Sequence, residues 1–468
     1  MKKVYSTLFH FFLINFNLLG FAFTYLNIPF KTKKSIIDDT ENDITHLFRS
    51  LIYNNIYINI EIGEPSQTIE TFLISKDVDF YVSEKSKNDE RTNTTNPDVD
   101  DVGCELEEFF DKSNSKSLDI TRNKKYLYYG CEGNICYDYF SFKNENNENI
   151  KEKLEFILYK STIGHRPSVI GLQFPRGKEE NNFFNILKTK DIINSYFWMI
   201  NYTSEYEGNF IVGEQPHKFD PINYKEDDLL IGHPYTYTAM QEKWGLRMDD
   251  ILFKDTNFRP YHECYFYYEF NIIKGIKNLE DEIDKYLFDS FNNGTCFKQY
   301  IKYPYGPHKF YFCDKEKYKE NMKYFPPLRF IHKEMNYTFE LTYEDLFIEK
   351  YDKLILLIFF EDSGSDWYLG KPFLKKYPFI MNHDMKIVGF YKNHGYYKNN
   401  ELNKNNDKRN NNEQTFFMLK ILFIGLGVIM LTVFGIFIGK YLFKKKKRIN
   451  TLEDDYDYEE AKNENIIN

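Results

Sequence analysis

Residues 367–391 read WYLGKPFLKKYPFIMNHDMKIVGFY: a Leu-Gly pair near the start, Asn382 and Asp384 in the middle, and a strand-like run, IVGFY, at the end. Upstream of it, similar short apolar runs recur between turn residues, at 56–62 (IYINIEI), 70–73, 80–82 and 208–212 (GNFIV). Helical patterns are few. The two best are 182–190 and 278–290, the second acidic on one face. Segments 84–102 and 143–152 are polar and charged and read as loops. From about residue 52 to 391 the pattern therefore predicts an all-β chain with minor helix.

The two ends carry address signals. Met1-Lys2-Lys3 opens with positive charge and is followed by a largely apolar run over residues 8–23, the shape of a secretory signal peptide. Near the other end, residues 421–439 are apolar and uncharged between Lys420 and Lys440. Nineteen helical residues cover roughly 28 Å, close to the thickness of a hydrocarbon core. Lys444 to Arg448 form a basic run immediately after, and positive residues stay cytoplasmic, so a type I orientation with a luminal or extracellular body is expected. The Asn- and Lys-rich stretch 399–414 reads as a stalk. With a formal net charge of -9, nucleic acid is not the expected partner.

Six cysteines in a secreted body read as a disulfide protein: Cys104, Cys131 and Cys136 in the first half, Cys264, Cys296 and Cys313 in the second. Cys296 and Cys313 are the most favourable pair, their short loop giving a closure worth roughly 3 kcal/mol. Three per half leaves one over in each, so either a bridge joins the halves or two thiols are free. Sequons at Asn93, Asn201, Asn293 and Asn336 are compatible with a luminal chain.

Taken in order, several stretches resemble the pepsin-like aspartic protease family, above all its plasmepsin-type and membrane-anchored members. Residues 57–67 (YINIEIGEPSQ) are similar to the opening strands with their I-G-x-P-x-Q turn, and 169–174 (VIGLQF) to the stretch that threads beneath the first active-site loop. Residues 183–200 and 208–213 resemble the helix and strands that follow. In the second half, 244–251, Phe325-Pro326-Pro327-Leu328 and 367–391 match in turn, except that Asn382 stands where the family pattern has Asp. The likeness spans about residues 54–391. It implies a bilobal fold, two related β lobes around a central cleft, and supports Cys296–Cys313 as the second-lobe disulfide. It also makes Tyr126 a candidate flap tyrosine, 12 residues before Asp138, with Gly133 in place. The expected organisation is a signal peptide (1–23), a prosegment-like stretch (24–50), an N-terminal lobe (51–225), a C-terminal lobe (226–395), a stalk (396–415), a transmembrane helix (416–443) and a cytoplasmic tail (444–468).

The chemistry of that family needs two carboxylates in hydrogen-bond contact sharing one proton, each in an Asp-Thr/Ser-Gly loop. Counting seven residues on from Gln67 lands on Ile74, in Ile74-Ser75-Lys76-Asp77. Counting from Trp244 and Cys264 puts the second position at Glu269, whereas counting from Gly275 puts it at Tyr267. Neither loop carries the motif. Asp362-Ser363-Gly364-Ser365 spells it by letters, but lies just before Trp367 and reads as a solvated turn. A positioned acid–base group contributes about 10²–10⁴-fold, which peptide hydrolysis cannot forgo. The expectation is a membrane-anchored, catalytically inactive homologue that binds a peptide or protein through its cleft, in the secretory pathway or at the cell surface, with no metal and no cofactor. The alternatives are a divergent active endopeptidase using Glu269 with Asp77 or Asp362, and a structural or adhesive surface protein.

Overall fold

Strand accounts for 54% of the described residues and helix for 16%, so the chain is all-β as expected. The computed structural model describes residues 25–33, 55–75, 77–84, 109–126, 132–143, 149–159, 167–173, 181–234, 243–258, 262–289, 295–303, 306–350, 352–361 and 366–393. The signal peptide, stalk, transmembrane segment and tail, and the turn at 362–365, lie outside them. Among the described residues no helix is long and apolar enough to cross a membrane.

The first half supplies β1 (Leu26–Lys33), β2 (Asn55–Ile62), β3 (Gln67–Ile74), β4 (Phe80–Ser83), β5 (Asp119–Tyr126), β6 (Glu132–Lys143), β7 (Asn149–Tyr159), β8 (Ser168–Gly171), helix α1 (Phe183–Thr189), β9 (Phe197–Tyr202) and β10 (Glu207–Val212). A short helix α2 (Pro216–Phe219) and β11 (Leu229–Gly232) lead into the second half. There follow β12 (Gly245–Met248), β13 (Asp250–Phe253), β14 (Thr256–Phe258), β15 (His262–Phe266), β16 (Ile273–Gly275), α3 (Lys277–Asp284), β17 (Cys296–Tyr303), β18 (Gly306–Asp314) and α4 (Lys315–Met322). The chain ends with β19 (Leu328–His332), β20 (Tyr337–Leu341), α5 (Tyr343–Leu346), β21 (Phe347–Lys350), β22 (Lys353–Glu361), β23 (Trp367–Leu369), α6 (Lys371–Leu374), β24 (Phe379–Asn382) and β25 (Ile387–Tyr391).

The two halves repeat one topology. Strands lie in the order β2-β3-β8-β4-β7-β6-β5 in the first and β12-β15-β23-β16-β22-β18-β17 in the second. The senses agree as well: β3 with β8 and β15 with β23 are parallel, β4 with β8 and β16 with β23 antiparallel, β4 with β7 and β16 with β22 parallel. A central sheet, β1-β10-β9-β24-β25-β11, joins the halves, one hairpin from each meeting at β9 and β24.

Residues 26–33, read from sequence as part of a prosegment-like stretch, are thus a strand of the central sheet. β1 is held between β2 and β10, and Leu26 and Phe30 turn inward at the two-residue period of a half-buried strand. The loop reading of segment 143–152 is corrected at its described residues: Lys143 and residues 149–152 belong to β6 and β7, which pair without a break from Gly133↔Tyr159 to Lys143↔Asn149, while 144–148 lie outside the described residues. The outer residues of these strands gain from ladder hydrogen bonds what they lack in apolar burial, which a reading by hydropathy misses. The helix expected at 278–290 is α3 followed by one π-helical turn, Lys285–Asp289. Its acidic face is partly internal: Glu280 is fully buried against Lys277 and Lys298.

The disulfide Cys296–Cys313 closes β17 on β18 at directly opposed positions. Cys136 and Cys264 are buried free thiols, one in each half. Burial pushes Cys136 up to about 12 and raises Cys264 as well, so neither is a reactive thiolate at neutral pH. Asn201 is buried and donates to the Tyr224 hydroxyl (3.1 Å), so this sequon is closed in the folded chain, whereas Asn336 is exposed in a turn.

The halves lock through aromatic residues. Trp198 of β9 makes edge contacts with Trp244 (5.8 Å) and Tyr268 (5.5 Å) of the second half. Trp244 Nε1 donates to the Leu172 carbonyl of the first (2.6 Å). Trp244→Phe keeps an aromatic ring, though a smaller one, and orphans a buried carbonyl. It should cost about 1–2 kcal/mol in urea denaturation; an unchanged midpoint would deny the bond a role.

Candidate functional site

Two loops face each other where the halves meet, one between β3 and β4, the other between β15 and β16. Each is threaded by a strand with a glycine at its end, Gly171 as the last residue of β8 and Gly370 directly after β23. A Cβ on Gly171 would stand 2.5 Å from the Asp77 backbone, and one on Gly370 2.3 Å from the Ile272 carbonyl, so only glycine lets the backbones cross so closely. On the first side, Leu172 N–H donates to the Ile74 carbonyl (2.9 Å) and Gln173 N–H to that of Asp77 (2.9 Å). On the second, Tyr267 N–H donates to Leu369 (3.0 Å) and Lys371 N–H to Phe270 (2.7 Å). The loops open with matching turns, Asp77 N–H to Ile74 and Phe270 N–H to Tyr267.

The matching turns and the strand registers give the correspondence of residues within the chain. Ile74 lies opposite Gly171 on the threading strand, and Tyr267 follows Phe266, which lies opposite Leu369. Tyr81 pairs with Val169 as Lys274 pairs with Tyr368, two residues before each glycine. Ile74 and Tyr267 are therefore counterparts, and Glu269 sits two residues further along its loop. Of the two candidates left open by counting, Tyr267 holds the position equivalent to Ile74. Its ring stacks on Phe270 (5.2 Å, 14°) and packs against Tyr368 (4.5 Å). Burial raises its hydroxyl well above the usual tyrosine range.

The carboxylates nearby are engaged elsewhere. Glu269 crosses the junction: its Oε1 accepts the Ser75 N–H (2.9 Å) and its Oε2 the Ser75 hydroxyl, so one carboxylate grips both donors of a residue 194 positions away. Asp77 turns back on its own loop, accepting from Val78 N–H (2.8 Å) and Asp79 N–H (3.1 Å). Desolvation, reinforced by the Asp79 charge, raises it to about 6 despite those donors. No carboxyl among the described residues hydrogen-bonds to either Glu269 or Asp77. Asp384, two residues after Asn382, is also structural: it accepts from Lys188 (2.7 Å) and from Tyr196 N–H (2.8 Å).

Tyr126 is the last residue of β5, opposite Glu132, and Gly133 lies opposite Lys125 and Tyr159, so both belong to one hairpin whose tip is outside the described residues. Next to its tip, that hairpin is tied to the first loop by Lys125 Nζ on Asp79 (2.5 Å). Asp362 is outside the described residues. The reading by motif overlooked Ser75 as a partner, although it stands at the hydroxyl position after Ile74. Among the described residues no group of His, Cys, Asp and Glu side chains could hold a metal ion.

No protein-family model matches the chain, and no curated protein matches it.

Proposed function

We propose that this chain is a membrane-anchored pepsin-like aspartic protease homologue that has lost hydrolysis and keeps its interlobe groove for binding a peptide or protein. The observation that carries this reading is the fate of the carboxylates at the crossing loops. Ile74 and Tyr267 stand at counterpart positions, Glu269 is bonded to Ser75 and Asp77 to its own loop. A water cannot be activated there by a shared-proton pair of the described residues, because no such pair forms among them. The repeated seven-strand order, the glycine-threaded loops and the sequence likeness support the bilobal pepsin-like part of the reading. The apolar segment 421–439 and the basic run after it support a type I membrane protein of the secretory pathway or cell surface.

The test is incubation of the full-length chain in detergent with a diverse peptide library from pH 4 to 7, with and without a transition-state inhibitor of aspartic proteases. Peptide retention without cleavage is expected throughout. Cleavage that the inhibitor abolishes would restore the enzyme, with Glu269 and Asp77 or Asp362 as its acids.

A further inference from the structure

Comparing the counterpart positions of the two halves exposes one asymmetry. In the first half, Tyr81 on β4 and Tyr159 on β7 pack edge to face (6.0 Å, 71°), with Gly133 opposite Tyr159. The same three places in the second half hold Lys274, Glu361 and His308, as the registers Tyr81↔Ile157, Lys274↔Phe359 and His308↔Glu361 require. Lys274 Nζ meets Glu361 Oε2 at 2.5 Å and lies 4.3 Å above the Tyr368 ring. His308 Nδ1 stands 3.6 Å from Glu361 Oε1, beyond hydrogen-bond reach. The same backbone accepts two tyrosines in the first half, so packing alone does not call for an ion pair. Burying one also carries a desolvation cost that an aromatic pair avoids.

The three groups are not equally accessible. The side chains of Lys274 and His308 are 6% and 5% exposed, whereas that of Glu361 is 29% exposed. What the cluster presents to solvent is therefore a carboxylate, fixed from behind by a buried ammonium and flanked by the half-buried Tyr368. Tyr368 packs on Tyr267 and Phe270, which places the cluster beside the crossing loops. We infer that Glu361 is the recognition point for a basic side chain, arginine or lysine, of the peptide that binds there. This inference rests on the peptide-binding reading above. A guanidinium can engage the free edge of the carboxylate while its plane lies along the aromatic rings, and the net charge of -9 draws cationic ligands towards the chain.

The experiment is positional scanning of labelled peptides against the full-length chain in detergent. Arginine, lysine, norleucine and glutamate are compared at each position, at low and high salt. One position should favour arginine over norleucine by about 10-fold or more, with the margin shrinking in high salt. Glu361→Gln should erase that margin and leave norleucine peptides bound as before. Lys274→Gln, which releases the carboxylate from its internal partner, should widen it. Because each single change disturbs a buried pair, the double variant Lys274→Met/Glu361→Met removes the pair as a unit, and it too should lose the margin while unfolding at a temperature close to the parent. Absence of any basic preference in the parent, or an equal loss for arginine and norleucine peptides in Glu361→Gln, overturns the inference while leaving peptide binding intact. If no peptide binds at all, the peptide-binding reading itself falls, and the inference with it.

Discussion

Asp77→Asn is expected to stabilise the protein by about 3 kcal/mol at pH 7.5 and to leave it nearly unchanged at pH 4. The carboxyl is buried, and its folded value of about 6 lies above its ordinary value of 3.8. Between those values the folded state holds a proton that the unfolded chain has released. The native state therefore gains from Asp77 as the pH falls through 6, and the gain is complete near 3.8. Above pH 6 the ionised group is a liability, since desolvation outweighs the Val78 and Asp79 N–H donors and the Asp79 charge opposes it. Asparagine keeps a carbonyl oxygen for both donors and carries no charge to desolvate. Urea denaturation of parent and variant at four or five pH values gives the difference curve, in which the other titrating groups cancel. A difference independent of pH would mean that Asp77 titrates as it would in water.

Glu269→Ala is expected to cost about 2–4 kcal/mol, because it strands both the amide and the hydroxyl of Ser75 in a buried junction. Glu269→Gln keeps an acceptor and should cost about 1 kcal/mol. Ser75→Ala removes only the hydroxyl bond. A double-mutant cycle over Ser75→Ala and Glu269→Ala should show a coupling of about 1–2 kcal/mol. Additive losses would show that the contact contributes nothing of its own. Because the bond spans the two halves, the loss should also appear as faster amide exchange in both crossing loops together. The Glu269 carboxylate thus braces the two halves, a role distinct from activating water.

The legible part of this molecule was local. Short apolar runs between turn residues marked 56–62, 208–212 and 387–391, all of which lie in strands. Absence of Asp-Thr/Ser-Gly at either loop needed no coordinates. Polar residues misled the reading at Lys143 and 149–152, where pairing between β6 and β7 supplies the order. A stretch judged by its charges, 24–50, hid β1, whose Leu26 and Phe30 find their core only when β2 and β10 close on either side.

Composition and order of residues determined by themselves that the chain is built of short strands, that Cys296 and Cys313 suit one another, and that residues 74–76 carry no Asp-Thr/Ser-Gly. Those properties depend on neighbours within about 17 positions. Only the tertiary structure decided that Tyr267 is the counterpart of Ile74, that Glu269 grips Ser75 and that Glu361 is backed by Lys274. Such partners lie tens to hundreds of residues apart. Sheet register and crossing backbones bring them within a few ångströms, and a hydrogen bond is decided at that range.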